Sequence, residues 1–176
     1  LKAAGLSFSV LTPHDVHEHP RKGESPKTLV CRLAGEKALA VAEQRPGYWV
    51  VGCDTEVVLN GKVLGKPANK VAAKKMLRSL EGRTHVVISG IAWVDSEGGL
   101  CDTECVESRV TFSRIPKEEL ESYINSKEPY DKAGGYGIQG PAAKWVKNLE
   151  GDYFNVMGLP VTRVWKGLMR FGAFSE

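Results

Sequence analysis

Apolar residues recur at helical spacing from Leu29 to Val41, with Leu29, Val30, Leu33, Ala34, Ala38 and Val41 on one stripe. Ser25-Pro26 stands just before it, a serine placed to cap and a proline suited to the first helical position. The run Tyr48–Cys53 is apolar throughout and predicts a short buried strand ending at Asp54-Thr55. Glu56–Leu59 and Lys62–Leu64 flank Asn60-Gly61, the strongest short signal for a β-hairpin. Asn69 is placed to cap a second helix, with Ala73, Met76, Leu77 and Leu80 inward and Gly82 closing it. His85–Val94 reads as a long strand, Val106–Phe112 as its antiparallel neighbour, and Gly98-Gly99 as part of the turn between them. Pro116 opens a helix that carries Leu120, Tyr123 and Ile124 inward and stops before Pro129.

Towards the end, Lys144–Leu149 and Tyr153–Val156 read as strands joined by Glu150-Gly151-Asp152. Leu159-Pro160 starts a last helix with Val161, Val164, Trp165 and Leu168 on one face. At the other end, Leu1–Gly5 reads as the last turn of a helix closed by glycine, Ser7–Leu11 as a weakly alternating strand, and Pro13–Glu24 as a polar loop. Hairpins interleaved with helices predict an α/β domain on a mixed, twisted sheet with flanking helices.

The chain has 176 residues, which suits one domain with a true core. Its 24 basic residues exceed the 21 acidic ones by only three, too weak a bias to argue for a nucleic-acid partner without a basic stripe. No stretch approaches the roughly 18 apolar residues of a membrane span, and no signal-peptide pattern opens the chain. A reduced, cytoplasmic protein is the expectation. Four cysteines at irregular spacing do not make a disulfide framework. Cys101-x-x-x-Cys105 lacks a second pair at zinc-ligand spacing, and His14, His17 and His19 in a polar loop read as solvated.

Candidate chemistry begins with Asp54, an acid placed after a buried strand, where open α/β sheets bind ligands; a turn or cap aspartate is the alternative. Lys37 falls inside the apolar stripe one turn after Leu33, so it either snorkels to the edge or points into a site that needs a cation. Lys66, fixed between Gly65 and Pro67, is either an exposed turn residue or a point charge aimed at phosphate. The run Asp131–Gly140 holds four glycines, which suits a loop that approaches a ligand closely. Gly135-x-Gly137-x-x-Gly140 formally matches a dinucleotide fingerprint, but no strand precedes it and Pro141 follows where a long helix is required. Acids (Asp54, Glu18) with lysines (Lys37, Lys66, Lys132) suit an anionic substrate bound with a divalent metal. The amide of Gln139 can donate and accept, which suits reading a base edge.

These segments closely resemble the Maf family of nucleoside triphosphate pyrophosphatases, also called septum-formation inhibitor proteins. The likeness runs through Arg32-Leu33-Ala34-x-x-Lys37-Ala38, Gly52-Cys53-Asp54-Thr55, Gly65-Lys66-Pro67, Leu80-x-Gly82-Arg83-x-His85-x-Val87, the segment Glu128–Gly140 and Gly151-Asp152-Tyr153-x-Asn155-Val156-x-Gly158-Leu159-Pro160. It covers nearly the whole chain, so residues 1–176 are taken as one such domain around a central cleft, similar in fold to the inosine triphosphatases.

The resemblance implies hydrolysis of a nucleoside triphosphate to the monophosphate and pyrophosphate with Mg²⁺ or Mn²⁺. It implies Asp54 as the active-site acid, Glu18 with Asp54 at the metal, and Lys37, Lys66 and Lys132 on the phosphates. Thr55 and Gln139 correspond to positions tied to base choice. The form Tyr136-Gly137-Ile138-Gln139-Gly140 is that of the branch acting on dTTP and UTP, and it differs from the branch acting on 7-methyl-GTP. A homodimer is the family expectation. The family opens on a strand and a Ser-x-Ser-Pro-Arg-Arg phosphate-binding turn, and this chain starts after that turn: if the segment is truly absent, a missing sheet strand and poor activity are expected, and if it was removed or left unnumbered, the native protein is expected to be a normal enzyme. A catalytically weak, nucleotide-binding regulator linked to cell division is the rival reading.

Overall fold

The computed structural model describes residues 1 and 5–174. Helix α1 spans Pro26–Ala42, and the Ser25 hydroxyl caps it by accepting from the Thr28 amide at 3.2 Å. Strand β1 (Trp49–Leu59) turns at Asn60-Gly61 into the two-residue β2 (Lys62–Val63). Both turn residues have positive φ, 51° and 76°, as a type I′ turn requires. Helix α2 (Lys70–Leu80) is capped by Asn69, whose side-chain oxygen accepts from the Ala72 amide at 2.9 Å. Strands β3 (Thr84–Asp95) and β4 (Gly99–Phe112) form the long central ladder. Helix α3 (Lys117–Ile124), strand β5 (Val146–Glu150), the single-turn α4 (Tyr153–Val156) and α5 (Val161–Arg170) complete the chain.

The strands lie in the order β2-β1-β3-β4-β5. All their pairings among the described residues are antiparallel, so the parallel component of a mixed sheet is not found there. Alternation along β3 sorts the two faces. Ile88, Gly90, Ala92 and Val94 lie towards α1, with Ile88 packed on Val30 and Ala92 and Val94 on Ala34 and Ala38. Val87 faces the cluster of Leu77, Leu80, Phe112, Leu120, Tyr136 and Trp145, while Ile91 and Trp93 meet Val164 and Leu168 of α5. Helices thus cover both faces, which is why β3 is buried almost from end to end.

Helix α1 sits unusually close to the sheet. A Cβ on Gly52 would lie 2.1 Å from the Ala34 carbonyl oxygen, and one on Gly90 2.2 Å from that of Val30. Only glycine admits this approach.

Several expectations are corrected. Ser7–Leu11 forms no strand. Tyr153–Val156 is a helical turn, because the Asp152 carboxylate accepts from the amides of Phe154 and Asn155 and starts it. Trp165 is 40% exposed rather than turned inward with Val164. Residues 2–4 of the proposed N-terminal helical turn lie outside the described residues. No helix among the described residues is long and apolar enough to cross a membrane.

Candidate active site

Strand β1 does not end at Asp54 but runs on unbroken to Leu59, so Asp54 lies mid-strand and the strand-terminus argument for it is overturned. What makes the position special is an uncovered edge. Strand β2 pairs only with Val58 and Leu59, so the segment 53–56 borders a cavity of about 520 Å³ instead of another strand among the described residues. Side chains from both faces of β1 reach that cavity: Asp54 and Glu56 from the α1 side, Cys53, Thr55 and Val57 from the other.

Helix α1 delivers Lys37 to Asp54. Its ammonium lies 2.7 Å from Asp54 Oδ1 and 2.5 Å from Glu18 Oε1. Burial works against the charged amine, but the hydrogen bonds to Asp54 and then Glu18 outweigh it and hold the lysine above its ordinary pKa. The same bond from Lys37 holds the Glu18 carboxyl below the usual range. Glu18 belongs to the polar loop before α1, and Arg32 pins that loop: its guanidinium bonds Glu24 at 2.7 Å, Glu36 at 3.0 Å and the His19 carbonyl at 3.1 Å. His14, His17 and His19 are exposed, as a solvated loop predicts.

The opposite wall is the glycine-rich segment. Gly134 adopts φ 71° and donates its amide to the Gly65 carbonyl at 2.8 Å, tying this loop to the one that carries Lys66. Lys66 itself is exposed, next to buried Pro67. Lys132 lines the same cavity, but its ammonium bonds Asp131 at 2.7 Å and Glu128 at 3.4 Å rather than Asp54. Beneath the loop, the buried Tyr136 hydroxyl lies 2.6 Å from His85 Nε2, and burial pushes this histidine down to about 4, so the imidazole is neutral.

The Thr55 hydroxyl is occupied internally, 2.7 Å from Ser89 Oγ and 3.3 Å from the Gly158 carbonyl. Thr55 therefore shapes the wall and fixes the Gly158 backbone. Gln139 is exposed at the rim and makes no side-chain hydrogen bond among the described residues.

Glu56 is the residue that sequence reasoning missed. It lies two positions from Asp54 on the same face, and burial, followed by the charge of Asp54, pushes it up to about 7. Reading β1 as one continuous strand would have placed it beside Asp54. Glu128 and Asp131 also enter the cavity wall, which gives five carboxyl groups, Glu56 the one that burial keeps protonated up to about pH 7, against three lysines.

That excess of carboxylates suits a divalent cation. Asp54 Oδ2 and Glu56 Oε2 are buried with no hydrogen-bond partner among the described residues, so each can accept a cation once its carboxyl is ionised. Among the described residues no three His, Cys, Asp or Glu side chains converge into a closed cage. Such an open set fits a hard cation that keeps several waters and shares its ligands with phosphate. Cys101 and Cys105 likewise join no group of three such side chains among the described residues.

A family model described as Maf-like protein matches residues 1–171. A dTTP/UTP pyrophosphatase of Syntrophus aciditrophicus is 41% identical over 175 residues, covering 99% of this chain and 85% of that protein. Proteins of the same name from Koribacter versatilis and Symbiobacterium thermophilum are each 45% identical over 172 residues, covering 98% of this chain and 88% and 87% of those proteins.

Proposed function

The chain belongs to the Maf family, and from that premise we propose that it hydrolyses dTTP and UTP, with other or modified pyrimidine nucleotides as further substrates, to the nucleoside monophosphate and pyrophosphate. The observation that carries this reading is the half-engaged carboxylate of Asp54: Lys37 holds Oδ1, and Oδ2 stays buried and unpaired. A carboxylate fixed on one oxygen presents the other as a proton acceptor in a set direction.

In this reading Asp54 takes a proton from a water molecule as the water oxygen attacks the α-phosphorus. The bond from phosphorus to the α–β bridging oxygen breaks, and pyrophosphate leaves. Lys37, Lys66 and Lys132 lie around the cavity to meet the charge that develops on the phosphate oxygens. Lys132 must turn from Asp131 and Glu128 to do so, and its partly exposed side chain leaves room for that turn. A divalent cation, Mg²⁺ or Mn²⁺, held by Glu18 and Asp54 would polarise the phosphate oxygens and offset the carboxylate excess. Gln139 supplies the free amide for a pyrimidine edge, and Thr55 sets the wall behind it. The substrate is a free nucleotide and not nucleic acid; a homodimer in the cytoplasm completes the proposal.

Pyrophosphate release with Mg²⁺, measured over dTTP, UTP, CTP and 7-methyl-GTP, tests the reading. Turnover of dTTP and UTP well above 7-methyl-GTP is the expected result. Release of orthophosphate in place of pyrophosphate, or a preference for 7-methyl-GTP, would overturn it.

A further inference from the structure

Outside the cavity, α1 and β4 run past each other in matched steps. Lys27 forms an ion pair with Glu107 at 2.9 Å, and Cys31, one turn further along α1, lies against Cys105. Gly35 and Thr103 come next and line one groove together with Cys31. Four helical residues advance about 6 Å and two strand residues about 6.7 Å, so the pairs 27/107 and 31/105 fall in step.

The sheet fixes the second coordinate. Cys105 is the ladder partner of Gly90, and Gly90 is the point where α1 touches the sheet: a Cβ there would lie 2.6 Å from the Cys31 amide nitrogen. Neighbouring strands are about 4.8 Å apart, so this contact brings Cys31 over the strand that carries Cys105. Both thiols are free and half-buried, and Cys31 opens onto the groove. Neither has a part in the chemistry proposed above.

We propose that Cys31 and Cys105 are the two halves of a reversible intramolecular disulfide that joins α1 to β4, formed by exchange with a low-molecular-weight disulfide. Cys31, the thiol on the groove, loses its proton and attacks one sulfur of the reagent; the reagent's S–S bond breaks and one small thiol departs. Cys105 then loses its proton and attacks the sulfur of Cys31, and the second small thiol departs. Two protein S–H groups become one S–S bond, and the two electrons and two protons leave with the reagent. Burial raises both thiols, Cys105 to about 11, so little thiolate is present and the pair exchanges slowly. The bond closes a loop running from residue 31 to residue 105, so the oxidised chain unfolds at a higher temperature than the reduced one.

The test treats the full chain with oxidised glutathione, blocks remaining thiols with N-ethylmaleimide and maps the peptides without reduction. The expected product has lost two hydrogens, takes up maleimide on two of its four cysteines and yields a Cys31–Cys105 linked peptide that dithiothreitol releases. Its thermal midpoint rises by about 5–10 °C over the reduced protein. A glutathione adduct on exposed Cys101 would replace one of those two maleimides and leave the linked peptide unchanged. Four maleimide additions, glutathione resting on Cys31 or Cys105 without closure, or linkage of Cys31 to any other cysteine would overturn the proposal. So would persistence of the two-hydrogen loss in Cys31→Ser or Cys105→Ser.

Discussion

Lys37 and Asp54 meet across the helix–sheet interface through a 2.7 Å charge-assisted bond that uses one carboxylate oxygen and leaves the other unpaired. Replacing Asp54 by Asn keeps an acceptor for Lys37 but removes the proton-accepting oxygen. In Asp54→Asn, kcat falls by about 10²–10⁴-fold while KM for dTTP changes only a few-fold. Steady-state pyrophosphate release checks this, and equal rates in the two proteins would remove Asp54 from the reaction.

Lys37 also lies between the two carboxylates proposed to hold the cation and competes with it for their charge. In Lys37→Met, Glu18 and Asp54 lose their internal counter-charge. Mn²⁺ then binds the substrate-free variant more tightly than the wild type, while kcat/KM drops by about 10²–10³-fold. Titration followed by Mn²⁺ paramagnetic resonance reads the first effect and kinetics the second; weaker Mn²⁺ binding in the variant would contradict the pairing argument.

Glu56 gives the protein a pH signature. Its folded pKa of about 7 lies above the ordinary 4.5, so the native state keeps a proton that the unfolded chain releases. The stabilisation from that proton is complete below pH 4.5 and is lost as pH rises through about 7. Relative to Glu56→Gln, the metal-free wild type should lose about 1 kcal/mol over this range after solvent screening, or about 3 °C in thermal midpoint. Parallel melting curves for both proteins from pH 4.5 to pH 8 would show it.

Gly90→Ala would drive a methyl group into the backbone of α1, 2.2 Å from the Val30 carbonyl oxygen and 2.6 Å from the Cys31 nitrogen. Backbone atoms on both sides cannot yield as a side-chain tip can. A loss of about 3 kcal/mol follows, near 6–10 °C in thermal midpoint. Urea denaturation measures it, and a neutral result would mean that α1 lifts freely from the sheet.

Where neighbouring residues set the conformation, the sequence was sufficient. Ser25-Pro26, Asn69 and Asn60-Gly61 each act within a few residues, and each forms the cap or turn expected of it. Lys37 was ambiguous from spacing alone, and its position against Asp54 favours a place in the site over snorkelling. Two failures share a cause. The polar triplet Asp54-Thr55-Glu56 looks like a strand end because its partners are remote: Lys37 for Asp54 and Ser89 for Thr55. Tyr153–Val156 alternates like a strand, but the fully buried Asn155 amide bonds the Val87 carbonyl at 3.1 Å and Ser108 Oγ at 3.0 Å and fixes the turn against β3 and β4. Contacts across 47 and 68 positions leave no trace in local periodicity.

The near-contact of α1 with Gly52 and Gly90 bears on how the cavity can accommodate a guest. Helix and sheet there share no compressible side-chain layer, so Lys37 and Asp54 ride on what is mechanically one plate. Any breathing needed to admit a nucleotide and let pyrophosphate out falls to the rim, to the segment around Glu18 and to the span from Glu128 to Gly140. Variation in those two loops can then reshape the cavity mouth while Lys37 and Asp54 keep their spacing.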